Sequence, residues 1–404
     1  MAIGQRVSGT ISRITQPRAA LIELWALALA LTAISVAFAR RYPLRGNSET
    51  LPDIGKLAHY GRPEFWWWLA GVTALCLIAA IAPYLALSAG RRALWPVLAG
   101  AIGAALAFAA MYPVNAIDVF IYAARSRLYT EYGLNPLTAL PNLYVERDPY
   151  FHYASLEWGG HGSPYGPLWN LLAAPVTIFG GASITKALIG FKAMAVIAYF
   201  GGGAFIWRAV ERMRPGAGVA AAAVYLWNPL VLWEGIGNGH NDLVMMFFVL
   251  AACWAWAAGE EEAVVPFIIV AVLIKYVALV ILPIVAVATL RRQPSVRAAL
   301  KVIVWWAVLG GAVLAFGLAP FYDLDAIRTS IRDQSDILLT SPGAVLFHEL
   351  RLRDEPESVS HTIIRLGQAI AAAAILLLTL LAALRPAKMI RYAFEAFFIL
   401  LIFG

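Results

Sequence analysis

Asp118 is the carboxylate around which the chemistry of this sequence gathers. It stands just after the apolar run Val97 to Tyr112, and the residues behind it have helical spacing, with Ile121, Ala124 and Leu128 on one face and Arg125 on another. That spacing puts a carboxylate where a membrane segment meets water. The polar stretch continuing to Trp169 carries Tyr122, Arg125, Arg127, Tyr132, Asn135, Tyr144, Tyr150, His152, His161 and Tyr165. Such groups hydrogen-bond sugar hydroxyls, stack on the apolar face of a sugar ring or pair with phosphate.

Two further polar groups interrupt apolar sequence. His240, Asn241 and Asp242 precede the run Leu243 to Ala258, and Lys275 sits in the middle of the run Val264 to Leu290. Each has a plain structural reading. Asp118, Asn241 and Asp242 are residue types that cap helices, Lys275 could snorkel from a helix end, and His161 and Tyr165 could be loop surface packed on a bilayer. In the functional reading His240 or Asp242 holds sugar hydroxyls or a divalent ion. The sugar is preferred, because one His and two acids from separate segments make a thin ligand set. No cofactor is expected, and no metal site is assigned.

Composition sets the class. Of 404 residues, 61% are hydrophobic and 14% charged, and the mean hydropathy is +0.73, values of an integral membrane protein. The net charge of +7 does not indicate nucleic acid, because Lys and Arg lie in short clusters between apolar runs, as at the cytoplasmic ends of spans facing anionic lipid. Cys76 and Cys253 lie inside apolar runs, so neither a disulfide frame nor a metal site is indicated.

The elements that must position these groups follow from run length and charge bias. Met1 to Arg18 is a basic arm with Arg6, Arg13 and Arg18, and Ala19 to Ala39 reads as a retained first span, which puts the amino terminus in the cytoplasm. Arg40 to Glu64 is an outer loop, Trp66, Trp67 and Trp68 open a second span, and Arg91 and Arg92 mark the return inside. Leu94 to Tyr112 then delivers Asp118 to the outer face. Pro167 to Gly180 is short against the roughly 20 residues of a span, and counting it as one would export Arg208, Arg212 and Arg214, so it is read as a half-inserted helix. Ala187 to Trp207, Gly218 to Trp233 and Leu243 to Ala258 cross in turn, which places His240 on the face of Asp118.

A mid-bilayer lysine is costly, so Val264 to Leu290 is read as two short helices meeting at an outward Lys275, with Glu260, Glu261 and Glu262 and then Arg291, Arg292, Arg297 and Lys301 inside. Val302 to Ala319 crosses out to a second loop holding His348 and Arg351, and Thr362 to Leu384 returns to Arg385, Lys388 and Arg391. The last run stops at Gly404 after roughly 12 residues, short of a span, and the native chain is expected to continue. The expectation is an all-α polytopic membrane protein, one transmembrane domain over 1–404 with about ten to eleven membrane segments and outer loops 113–166 and 320–361 containing juxtamembrane helices.

No glycine-rich phosphate loop follows a strand, and no P-loop occurs, so energy must come from an ion gradient or from an activated substrate in the membrane. The order IDVFIYAARSRLY, YGLNPL, SPYGPLW, NPLVLWEGIGNGHND and LIKYVALVILP resembles the C-type (GT-C) membrane glycosyltransferases that use polyprenyl-phosphate sugars. Within them it is most similar to bacterial polyprenol-phosphate-mannose-dependent alpha-mannosyltransferases of actinobacterial type. The resemblance covers roughly Val97 to Pro342. One departure is Leu137 after Pro136, where the family often has Pro-Tyr, which weakens an aromatic role there.

The resemblance implies that the acidic residue of the first large outer loop, here Asp118, acts on the acceptor, within a GT-C-like helix bundle in a bacterial plasma membrane. The chemistry agrees: sugar transfer from a lipid phosphate needs a base for the acceptor hydroxyl, which Asp118 fits, and groups for the departing phosphate, which Lys275 and Arg125 fit. A single dominant carboxylate suits inversion. Tyr122, Asn135, His161, Tyr165, His240, Asn241 and Asp242 are assigned to sugar or acceptor. The expected partners are a polyprenyl-phosphate sugar donor, a glycan or glycolipid acceptor and membrane lipids. The alternatives are another donor sugar, glucose or arabinose, a scaffold, or a secondary transporter, against which stands the lack of an internal repeat.

Overall fold

The computed structural model describes residues 17–46, 62–114, 116, 118–154, 156–335, 345, 349 and 357–403. Arg6 and Arg13 of the basic arm, the loop 47–61, and most of the second outer loop with His348 and Arg351 lie outside the described residues. Helices make up the described chain, with no strand beyond one isolated bridge between Pro43 and Met111. The all-α expectation is met.

Five helical stretches are long and apolar enough to cross a membrane: Pro17–Arg41, Phe65–Ala109, Ile184–Met213, Val296–Phe321 and Arg365–Leu384. Gly218–Leu226 and Val231–Gly237 make a sixth if that bent pair is one span, and Pro167–Gly180, Asp242–Ala258 and Tyr276–Arg291 are shorter apolar helices. The contacts group the chain into two compact units, Met1–His161 with Asn170–Leu250, and Gly162–Trp169 with Ala251–Gly404.

In the first unit, α1 (Pro17–Arg41) starts on a proline, whose missing N–H costs nothing at a helix start. Its buried stripe, Ala20, Leu24, Ala28, Leu31, Ser35 and Phe38, repeats at three and four residues. Against it pack both α2 (Arg62–Ala89) and α3 (Leu94–Ala109). The chain reverses between them at Gly90, whose φ of +62° is one that side-chain-bearing residues rarely adopt. Close approach depends on small residues: a Cβ at Gly100 would lie 2.8 Å from the Trp227 ring and 3.2 Å from the Ala28 Cα. The unit also holds α4 (Asp118–Thr130), most of α5 (Pro167–Gly180), α6 (Ile184–Met213), α7 (Gly218–Leu226) and the start of α8 (Asp242–Ala258).

The expected crossing Gly218 to Trp233 is bent in its middle. α7 stops at Leu226, and after a bend of 59° the chain continues as a π-turn, Val231–Gly237. Pro229 supplies the break, because it has no N–H and bars its predecessor from helical geometry. Asn228 Oδ1 instead takes the Leu230 N–H at 2.9 Å.

In the second unit α9 (Glu261–Ile274) ends at Lys275, whose backbone is extended at φ −148° and ψ 121°. A 3-10 stretch, Tyr276–Ile281, then leads into α10 (Leu282–Arg291). The expected break at Lys275 is therefore present. At the other end of this pair Arg292 Nη1 donates to the Trp256 carbonyl at 2.9 Å, and Lys301 reaches Glu262 at 3.4 Å. The remaining helices are α11 (Val296–Trp305), α12 (Gly311–Leu318), α13 (Leu324–Ser335), α14 (Glu357–Leu384) and α15 (Met389–Phe403).

Candidate active site

Asp118 occupies the first position of α4 with its side chain one-third exposed, and His240 lies against it. His240 Nε2 is 4.0 Å from Asp118 Oδ2 and 3.3 Å from Glu234 Oε2, while Nδ1 is 4.0 Å from Asp242 Oδ2. Three segments thus deliver three carboxylates to one imidazole. Burial disfavours the imidazolium, but the hydrogen bond to Glu234 and the charges of Asp118, Asp242 and Glu234 outweigh it and hold the His240 pKa above the ordinary 6.5. An imidazolium donates from both nitrogens, which matches acceptors on both sides of the ring. Among the described residues no group of three His, Cys, Asp or Glu is placed to hold a metal ion.

The sequence reading did not assign Glu234. The π-turn carries it, and Asn238 steadies it, with Nδ2 donating to Glu234 Oε2 at 2.8 Å. Lys192 of α6, also unassigned, is buried beneath, with its ammonium donating to the carbonyls of Phe108, Ile236 and Gly237. A lone lysine in an apolar run was the available signal.

The other expected residues fall in different places. Tyr122 donates to Asn241 Oδ1 at 3.2 Å, and both side chains are buried, so they join α4 to the start of α8 directly behind Asp118 and Asp242. Arg125 is 2% exposed. Its Nη2 donates to the carbonyls of Trp158 at 3.0 Å and His161 at 3.4 Å, so the cation ties down the loop on which His161 is exposed. Asn135 forms a local turn, its Oδ1 accepting the Leu137 N–H at 3.0 Å.

The expected helix after Asp118 is present and is buried on all its faces, from Val119 to Leu128. Several of its polar side chains bond within the unit. Arg127 Nε donates to Asp148 at 2.6 Å and Nη1 to the Gly181 carbonyl at 2.8 Å, and Ser126 meets Thr177 at 2.8 Å. The loop aromatics pack on one another, with Tyr132 and Tyr144 rings 4.8 Å apart. Tyr150 is buried, its hydroxyl donates to the Ser183 carbonyl at 2.9 Å, and burial first, with Asp148 adding to it, pushes its pKa up to about 12.

Lys275 and Tyr165 belong to the second unit. The Lys275 Nζ lies 6.0 Å from the centre of the Tyr165 ring, within the reach of a cation–π attraction. Next to them the Gly166 N–H donates to the Ile274 carbonyl at 3.1 Å, and Ser330 Oγ donates to the Ser163 carbonyl at 2.9 Å. The SPYGP segment is thereby fastened to the helix break that carries Lys275. A Cβ at position 166 would collide with the Leu273 carbonyl, so only glycine fits.

Fold and site together define a helical membrane protein with a carboxylate–imidazole cluster at helix starts. The chain belongs to the family described as alpha-(1->6)-mannopyranosyltransferase, N-terminal domain, whose model matches residues 25–291. It is 29% identical over 182 residues to alpha-(1->6)-mannopyranosyltransferase A of Corynebacterium glutamicum, covering 44% of this chain and 35% of that protein. To alpha-(1->6)-mannopyranosyltransferase A of Mycobacterium tuberculosis it is 27% identical over 218 residues, 53% of this chain and 41% of the relative. A probable alpha-(1->6)-mannopyranosyltransferase of Mycolicibacterium smegmatis shows 28% identity over 144 residues, 34% of this chain and 25% of the relative. The matches thus span well under half the length of these relatives. No solved structure matches.

Proposed function

We propose that this chain transfers a mannosyl residue from a polyprenyl-phosphate mannose to the 6-hydroxyl of a mannoside acceptor, at the outer face of a bacterial plasma membrane. The observation that carries the reading is the placement of Asp118, a partly exposed carboxylate at a helix start, against an imidazole held by Glu234 and Asp242. Membership of the family and the names of the relatives supply the sugar and the linkage.

Asp118 takes the proton of the acceptor hydroxyl as that oxygen bonds to the anomeric carbon; the bond from that carbon to the phosphate oxygen breaks, and polyprenyl phosphate leaves with the electron pair. A phosphate needs no protein acid to leave, so one base suffices and the anomeric centre inverts. His240, whose charged form the surrounding carboxylates favour, orients Asp118. Lys275 holds donor phosphate by a charge-assisted contact, and Tyr165 stacks on a sugar face. Exposed His161 and partly exposed Asp242 meet acceptor hydroxyls, whereas Tyr122 and Asn241 support the cluster from behind and Arg125 holds the loop of His161.

The test is incubation of purified protein in lipid with radiolabelled polyprenyl-phosphate mannose and an alpha-(1->6)-linked mannoside. Labelled, elongated mannoside is the expected product. Label transfer only from polyprenyl-phosphate glucose or arabinose would overturn the donor, and no transfer from any of the three would overturn the activity.

A further inference from the structure

Lys192 is 1% exposed and lies within the apolar span α6. Its Nζ donates to the carbonyls of Phe108 at 3.3 Å, Ile236 at 3.0 Å and Gly237. Three N–H groups of an ammonium meet three acceptors. Phe108 is in the last turn of α3, and Ile236 and Gly237 close the π-turn, so the cation sits where two helical segments end and their carbonyls concentrate negative potential. An ammonium in apolar surroundings is costly without such partners. An apolar side chain of similar length would fill the same space in a span, so packing alone does not call for lysine.

What the cation holds leads directly to the cluster. Gly237 is followed by Asn238, whose N–H bonds the Trp233 carbonyl at 2.7 Å and whose side chain bonds Glu234. Glu234 in turn takes the His240 N–H on its carbonyl at 3.1 Å and faces the His240 ring with its carboxylate. A π-turn contains one residue more than the α-helical register and is rare because it is the less stable form. Relaxation to α-helix would swing the following side chains by about 100°, the rotation per residue, and carry Glu234 off His240.

We propose that Lys192 is the positioning residue of this site: its ammonium locks the π-turn in register, so that Glu234 holds His240 against Asp118. The inference rests on the reading of Asp118 as the base. It assigns to a buried side chain with no access to substrate a specific effect on turnover.

The test is a double-mutant cycle of Lys192→Met, Glu234→Gln and the double variant, assayed with polyprenyl-phosphate mannose and an alpha-(1->6)-linked mannoside. Each single variant lowers kcat by roughly tenfold to 10²-fold, the scale of a misplaced catalytic group, with donor KM within about twofold. Both singles move the alkaline limb of the pH profile the same way, through the His240 that faces Asp118, Glu234 and Asp242. The double variant is no worse than the worse single. Additive losses, or a normal pH profile in Lys192→Met, would overturn the proposal. Lys192→Gln, which keeps a donor, serves as a second variant, and failure of both Lys192 variants to fold would make the residue a folding element and overturn it too. Asp118→Asn is assayed alongside. Full activity there removes the base assignment, while the coupling of Lys192 to Glu234 is read independently, so the two failures are told apart.

Discussion

Glu234 grips His240 twice, by its carboxylate, 3.3 Å from the ring Nε2, and by its backbone carbonyl, 3.1 Å from the backbone nitrogen of the histidine. Ring and backbone are fixed by one residue, which leaves the imidazole little freedom to turn away from Asp118.

A pH dependence follows. The folded pKa of His240 is raised, so the stabilisation from its charged form is fully present below the ordinary 6.5 and is lost as pH rises through the folded value. Activity and thermal stability should both decline on that alkaline side. Glu234→Gln removes the hydrogen-bonded carboxylate and should bring the decline to lower pH. Profiles of kcat and Tm against pH check this, and a limb that stays in place would exclude His240 as its origin.

Asp118→Asn keeps size and much of the hydrogen bonding and removes the ability to accept a proton. Turnover should fall on the order of 10²-fold or more, with thermal stability retained, because Asn caps a helix about as well as Asp. Near-normal turnover would take Asp118 out of the mechanism.

Lys275→Ala should raise the apparent donor KM by about 1.5 to 3 kcal/mol, the scale of a hydrogen bond to a charged group. Acceptor KM should change far less. Equal losses toward both substrates would mark Lys275 as a support of the helix break.

Gly166→Ala forces a methyl group against the Leu273 carbonyl. Backbone cannot give way as a flexible side chain can, so the variant should lose about 1 to 3 kcal/mol of stability, read as a lower Tm. An unchanged Tm would show that the SPYGP segment is loosely held.

Orientation is tested by single cysteines after Cys76 and Cys253 are removed. A cysteine at 161 should react with a membrane-impermeant thiol reagent applied outside, and one at 212 should not. Outside labelling at 212 would overturn the half-inserted reading of α5.

Run length and charge made part of this legible. The helix Pro167–Gly180 and the break at Lys275 stand where apolar sequence and flanking charge put them, because lipid penalises charge and exposed backbone strongly. Charge bias assigns Asp118 and His240 to one face, but their contact at 4.0 Å is visible only in the fold. Glu234 was not legible, since it lies within a motif whose geometry depends on a π-turn, and an inserted residue leaves no periodic signature. The type of Arg125 suits a phosphate contact. That its partners are the Trp158 and His161 carbonyls, far along the chain, cannot be derived from local pattern. Asn135 carries a turn signal in the Asn-Pro pair, and its side chain caps that turn.

The burial of Lys192 also bears on how the protein is made. Synthesis runs from amino to carboxyl end, so α6 enters the bilayer after the Phe108 carbonyl but ahead of Ile236 and Gly237, the other two partners of its lysine. A lysine on an isolated helix disfavours insertion, by up to about 2.5 to 3.5 kcal/mol where it lies at the centre. The span therefore enters as an unfinished hydrogen-bonding partner, and its insertion is completed only when the chain beyond it returns to close the shell around the ammonium.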